Sequence, residues 1–144
     1  LDRYLFQEQR SELKKILFKG GNEVRDELVV DYSLNLKLRR SKPFFGPGVV
    51  ELLQRIKRTG SLNTAAKEMK MSYNKAWRII HYAENELGFP LIIRNVGGSN
   101  GGGSKVTSDG ERMINKFLLF QKKTYQATDQ YFEEIFGEEF LSQE

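Results

Sequence analysis

Ser72-Tyr73-Asn74-Lys75, followed by Arg78, is the stretch of this 144-residue chain whose side chains are best equipped for molecular recognition. Asn offers a donor and an acceptor side by side, Arg a planar fork of donors, and Lys a mobile point charge. These groups bond nucleobase edges and phosphate oxygens; they are not a set that makes or breaks covalent bonds. Ser61, Asn63 and Thr64 form a second polar set upstream, and Arg94 and Lys105 a third downstream.

Other chemistries find little support. There is no Cys and a single His, His81, so a disulfide framework and a Cys-ligated metal site are excluded, and no metal ligands are assigned. No nucleophile–base constellation is present, no catalytic residue is assigned, and the chain is not expected to be an enzyme. Gly97 to Gly103 holds five glycines in seven residues and superficially suggests a phosphate-binding loop. That motif needs Lys directly after the last Gly, then Ser or Thr opening a helix. Here Ser104 precedes Lys105 and Val106-Thr107 intervene, so no nucleotide site is expected, although successive amides can still cradle an anion.

Charge is distributed in favour of a polyanion. The formal net charge is +4, but residues 33–81 hold eleven Lys/Arg against two Asp/Glu, while residues 109–144 hold four against eight. A basic middle and an acidic end point to a nucleic-acid partner for the middle. No apolar run approaches a membrane span and the N-terminus lacks the pattern of a signal peptide, so no membrane partner and a cytoplasmic location are expected.

These side chains need elements to hold them. Leu1–Leu17 carries a helical stripe, and Val30–Arg39 alternates apolar and polar residues like a half-buried strand. After Gly46-Pro47-Gly48, three short helices follow in close order. Val49, Leu52, Leu53 and Ile56 form one apolar stripe, ended by Gly60. Leu62, Ala65, Ala66 and Met69 form the second, capped by Ser61. Ala76, Ile79, Ile80, Ala83 and Leu87 form the third, capped by Ser72 and closed by Gly88. The short link between the second and third, with small Ala65 and Ala66 where helices cross, is the layout of a helix-turn-helix. Asn74, Lys75, Arg78, Tyr82 and Asn85 fall on the outer side of the third helix, with Ser72 and Tyr73 at its N-terminal turn. Arg55, Lys57 and Arg58 are expected to add to the field, and Trp77 to pack between the third helix and its neighbours.

Phe89 to Arg94 and Lys105 to Thr107 read as a hairpin with a glycine-rich tip, a wing whose Arg94 and Lys105 reach an adjacent minor groove or its phosphates. A last helix starts at Thr107 or Ser108. One stripe along it runs Ile114, Leu118, Gln121, Tyr125, Thr128, Phe132 and Ile135, and a second, Met113, Phe117, Phe120, Ala127 and Tyr131, lies beside it. Ile114, Phe117, Leu118, Tyr125 and Phe132 are assigned to a dimer face, while Gln121 and Thr128 argue against a sealed coiled-coil seam. The predicted fold class is mainly α with a small β component: a winged helix-turn-helix plus a long C-terminal dimerisation helix and an N-terminal helical arm. The corresponding divisions are 1–27, 28–110 and 111–144.

Several stretches in order resemble the N-terminal DNA-binding domain of molybdate-responsive ModE-type regulators, whose winged helix is related to that of LysR-type regulators. They are Phe45-Gly46-Pro47-Gly48, Thr59-Gly60-Ser61 with Ala65-Ala66, Met71-Ser72-Tyr73 with Ala76-Trp77, Gly88-Phe89-Pro90-Leu91, the glycines of the wing, and Val106-Thr107 with Gly110. The match runs from about Val30 to Phe120. The resemblance implies that the third helix reads operator DNA and that long helices join two subunits. It also implies C-terminal oxyanion-binding modules in full-length relatives. No such segment occurs in these 144 residues, so molybdate or tungstate sensing is not carried over and no cofactor is expected. The leading expectation is a sequence-specific regulator that binds double-stranded DNA as a homodimer. A winged-helix protein–protein adaptor and an oxyanion-binding protein remain alternatives.

Overall fold

Gly60 (φ 74°) and Gly88 (φ 84°) adopt left-handed backbone, and each ends a helix at the position where a side chain would be strained. The computed structural model describes residues 30–95 and 103–140. The predicted helix at Leu1–Leu17 and the wing tip at Gly97–Gly102 lie outside the described residues. The order of elements is β1 (Leu38–Arg39), β2 (Pro43–Phe45), α1 (Pro47–Thr59), α2 (Leu62–Glu68), α3 (Tyr73–Leu87), β3 (Ile92–Arg94), β4 (Ser104–Val106) and α4 (Ser108–Phe140). The result is a winged helix-turn-helix, mostly helical with two small antiparallel sheets.

Residues 35–119 form one compact unit. Its core is made of Leu52, Leu53 and Ile56 from α1, Ala65 and Ala66 from α2, Ile80 from α3, Leu91 beside the wing, and Ile114 and Phe117 from α4. Each fully buried Leu or Ile contributes about 2 kcal/mol relative to exposure. Alanines at the α2–α3 crossing let the two helices approach closely. The link between them is a Schellman turn: Met71 N–H donates to Ala66 O and Lys70 N–H to Lys67 O, both at 3.0 Å. Lys70 occupies the left-handed position (φ 57°) that glycine usually takes. Thr107 caps α4, its Oγ1 accepting from Gly110 N–H at 2.9 Å and donating to Pro90 O at 2.7 Å.

The described part of the second unit comprises residues 30–34 and 120–140. There, the Tyr32 hydroxyl donates to Asp129 Oδ1 at 2.5 Å, and its ring lies 5.3 Å from that of Phe132. Leu34 N–H donates to the Tyr125 hydroxyl at 3.3 Å.

One sequence expectation needs correction. Burial alternates from Asp31 to Arg39 as predicted, but only Leu38–Arg39 joins a ladder, with Phe45 and Pro43. Alternation reports a two-sided environment, not a neighbouring strand. Tyr32 and Leu34 meet α4 residues instead, whereas Leu36 and Leu38 pack on the core of the first unit.

Candidate nucleic-acid interface

The Ser72 hydroxyl oxygen accepts from Lys75 N–H at 3.1 Å, which fixes the first turn of α3 and the direction of the side chains leaving it. Ala76, Ile80 and Ala83 are completely buried at helical spacing, so the opposite side of the helix must face solvent. Tyr73, Asn74, Lys75 and Arg78 all lie there, exposed, with Tyr82 and Asn85 further along. Half-buried Ser61 repeats the capping arrangement on α2, accepting from Thr64 N–H at 3.1 Å, and Asn63 and Thr64 are exposed on that first turn. Neither helix has an acidic residue in its first turn, so the partial positive charge of the free amides is not offset by a carboxylate there.

The cations of α1 behave differently from the sequence expectation. Arg55 Nη1 lies 2.9 Å from Glu68 Oε1 and Nη2 lies 3.0 Å from Glu51 Oε1, and Arg58 also pairs with Glu68. Hydrogen bonding to Glu68, then to Glu51, holds Arg55 above its ordinary pKa, and the bond from Arg55 holds the Glu68 carboxyl below its own. Lys57 pairs with Glu111 at 3.0 Å. Three acids, Glu51, Glu68 and Glu111, therefore offset the cations of this helix, so α1 adds less to the positive field than its sequence suggests. Among the described residues, Lys75, Arg78, Arg94 and Lys105 have no carboxylate partner.

The wing is an antiparallel pair with Ile92 opposite Val106, Ile93 opposite Lys105 and Arg94 opposite Ser104. Arg94 and Lys105 are exposed on it, on an element separate from α3. Three hydrogen bonds tie it to the helical part of the domain. Glu84 Oε2, on α3, accepts from Leu91 N–H at 2.6 Å and Ile92 N–H at 3.3 Å, and Ser104 N–H donates to Gly60 O at 2.8 Å.

Two further expectations change. Trp77 is 43% exposed and touches the His81 ring, centroids 3.9 Å apart, instead of packing between helices. Its position on α3, one turn before His81, puts it at the margin of the buried stripe, which a periodicity argument cannot distinguish from the interior. Ile114 and Phe117, assigned to a dimer face, are 1% and 3% exposed and belong to the core of residues 35–119, and Leu118 packs against that core. Tyr125 and Phe132 are also buried. Side chains already enclosed within one chain have no surface left for a second. The exposed large apolar residues of α4 are Leu119, Phe120, Tyr131, Ile135, Phe136 and Phe140; Phe120, Tyr131 and Ile135 lie on the apolar stripes read from the sequence, whereas Leu119, Phe136 and Phe140 lie outside them.

Residues 49–111 match the family model described as "Bacterial regulatory helix-turn-helix protein, lysR family". The chain is 38% identical over 89 residues to the transcriptional regulator ModE of Haemophilus influenzae, covering 62% of this chain and 34% of that protein. It is 35% identical over 86 residues to the molybdenum transport protein ModE of Azotobacter vinelandii, covering 60% and 32%. A solved structure, the CbnR DNA-binding domain in complex with DNA, aligns with a TM-score of 0.46 at 18% identity, over 58% of this chain and 91% of that one. The chain thus spans about a third of the length of the ModE proteins it matches. Residues 49–111 are thus similar to helix-turn-helix domains of the lysR family, and the chain is similar to ModE regulators over about a third of their length.

Proposed function

We propose that this chain is a transcription regulator that binds duplex DNA sequence-specifically as a homodimer, with α3 in the major groove and the wing beside it. The observation that carries this reading is the outer face of α3: Asn74, Lys75 and Arg78 are exposed, and neither cation is neutralised by a described carboxylate. Asn and Arg at the N-terminal half of such a helix reach base edges, while Lys75 and the capped turns at Ser61 and Ser72 hold the phosphates. Arg94 and Lys105 extend the contact along the backbone.

Support for the homodimer comes from the exposed Tyr131, Ile135, Phe136 and Phe140 of α4, in which Tyr131 and Ile135, and likewise Phe136 and Phe140, are one turn apart. The reading involves no enzyme chemistry, no small-molecule cofactor and no membrane. Among the described residues, no helix is long and apolar enough to cross a membrane. Calorimetry with molybdate and with tungstate is expected to show no heat.

The decisive experiment is selection of duplexes from a random pool, followed by affinity measurement across a salt series. A recovered consensus bound far more tightly than random DNA, with affinity falling steeply as salt rises, is the expected result. No enrichment would defeat sequence-specific binding, and no duplex binding even at low salt would defeat the whole reading in favour of a protein–protein adaptor. Sedimentation should give a dimer, and Ile135→Asp with Phe136→Asp should give a monomer.

A further inference from the structure

We infer that Trp77 is a specificity-determining side chain that reads a thymine methyl group, and that His81 is the positioning residue that holds it there. The inference rests on the DNA-binding reading above and goes beyond its polar contacts.

The indole is 43% exposed on a helix whose inner side is closed by Ala76, Ile80 and Ala83. It stands beside Asn74 and Arg78 in helical spacing (i+3 and i−1), so it flanks the polar reading face instead of lying behind it. Three consecutive groups then run down one flank of α3. The Trp77 ring meets the His81 ring at 3.9 Å between centroids, tilted by 53°. His81 Nδ1 lies 2.6 Å from Glu84 Oε1. The other oxygen of Glu84 takes the Leu91 and Ile92 amides at the base of the wing. Glu84 is therefore immobilised by backbone, His81 by Glu84, and Trp77 by His81. An exposed Trp on a free surface has several rotamers to choose from; this one is restrained before any partner arrives, which lowers the ordering cost of binding.

The chemistry of the partner follows from what an indole face offers. Base edges in the major groove present hydrogen-bonding groups, with one apolar exception, the C5-methyl of thymine. An apolar ring set next to Asn and Arg selects that methyl, while the polar neighbours read adjacent positions.

Trp77 is the only Trp of the chain, so its fluorescence reports on this site alone. The test uses the 144-residue chain and a duplex recovered by selection, with each thymine replaced in turn by uracil, which removes only the methyl. Wild-type protein is expected to lose about fourfold in affinity at one position, the value of burying one methyl group. Trp77→Ala is expected to lose that dependence while melting at nearly the same temperature. His81→Ala should lose it too, and His81→Phe, which keeps a ring against the indole, should retain it. Saturating duplex should change the Trp77 emission. Unchanged emission, or a Trp77→Ala protein as sensitive to the methyl as wild type, would overturn the inference while leaving DNA binding intact. Full methyl dependence in His81→Ala would overturn the role of His81. Loss of all duplex binding by the wild type would remove the DNA reading and this one with it.

Discussion

Glu84 and Leu91 are joined by a 2.6 Å bond from the Leu91 amide to the carboxylate, so the base of the wing is fastened to the last turn of α3. The same oxygen reaches the Ile92 amide. Without it, two partly buried N–H groups lose their acceptor. Glu84→Ala should cost about 2 kcal/mol in denaturant unfolding, and Glu84→Gln, which keeps an acceptor oxygen, about half of that. A Glu84→Ala protein as stable as wild type would show that the wing is held by its other anchor, Ser104 to Gly60, alone.

Lys70 occupies a left-handed conformation in the turn of the helix-turn-helix, and a Cβ there is a strain that glycine would not carry. Lys70→Gly should stabilise the fold by up to about 1 kcal/mol, with a raised Tm. A lowered Tm would mean that the Lys side chain supports the turn by more than its backbone costs.

Glu68 is held below the ordinary carboxylate range, first by its hydrogen bond from Arg55, and it also faces Arg58. A group depressed on folding contributes stability that is present above its unfolded pKa and is lost as pH falls through the lower folded value. Glu68→Gln should therefore flatten the acid side of a Tm-against-pH profile. Freed of their partner, Arg55 and Arg58 should also raise the affinity for random duplex at low salt. A steeper acid limb in Glu68→Gln, or no gain in affinity, would contradict this assignment.

Lys75 and Arg78 should separate by the kind of loss they produce. Arg78→Ala is expected to cost about 1–3 kcal/mol on the selected site and to relax the consensus at one position. Lys75→Ala should weaken all duplexes about equally and lower the salt slope by about one. Arg58→Ala should do less than either, because Glu68 already takes its charge. Anisotropy titrations at several salt concentrations distinguish the three.

Much of this was legible in the amino-acid order. Ser61, Ser72, Gly60 and Gly88 mark helix ends because capping and left-handed backbone are local requirements, met within a few residues. The stripes Val49-Leu52-Leu53-Ile56 and Ala76-Ile80-Ala83 identify inward faces because helical periodicity is local too, and the outer face of α3 follows by exclusion. Folding in three dimensions decided which charges stayed available and which apolar side chains stayed outside. Glu68 and Glu111 neutralise α1 from other helices, Trp77 leans on His81 instead of the core, and Ile114 and Phe117 are consumed by their own domain. Gly110 shows the same limit: a Cβ there would lie 2.5 Å from Leu91 O, a clash between residues nineteen apart. Coulomb energy and packing depend on distances between segments, and those distances exist only once the chain has closed on itself.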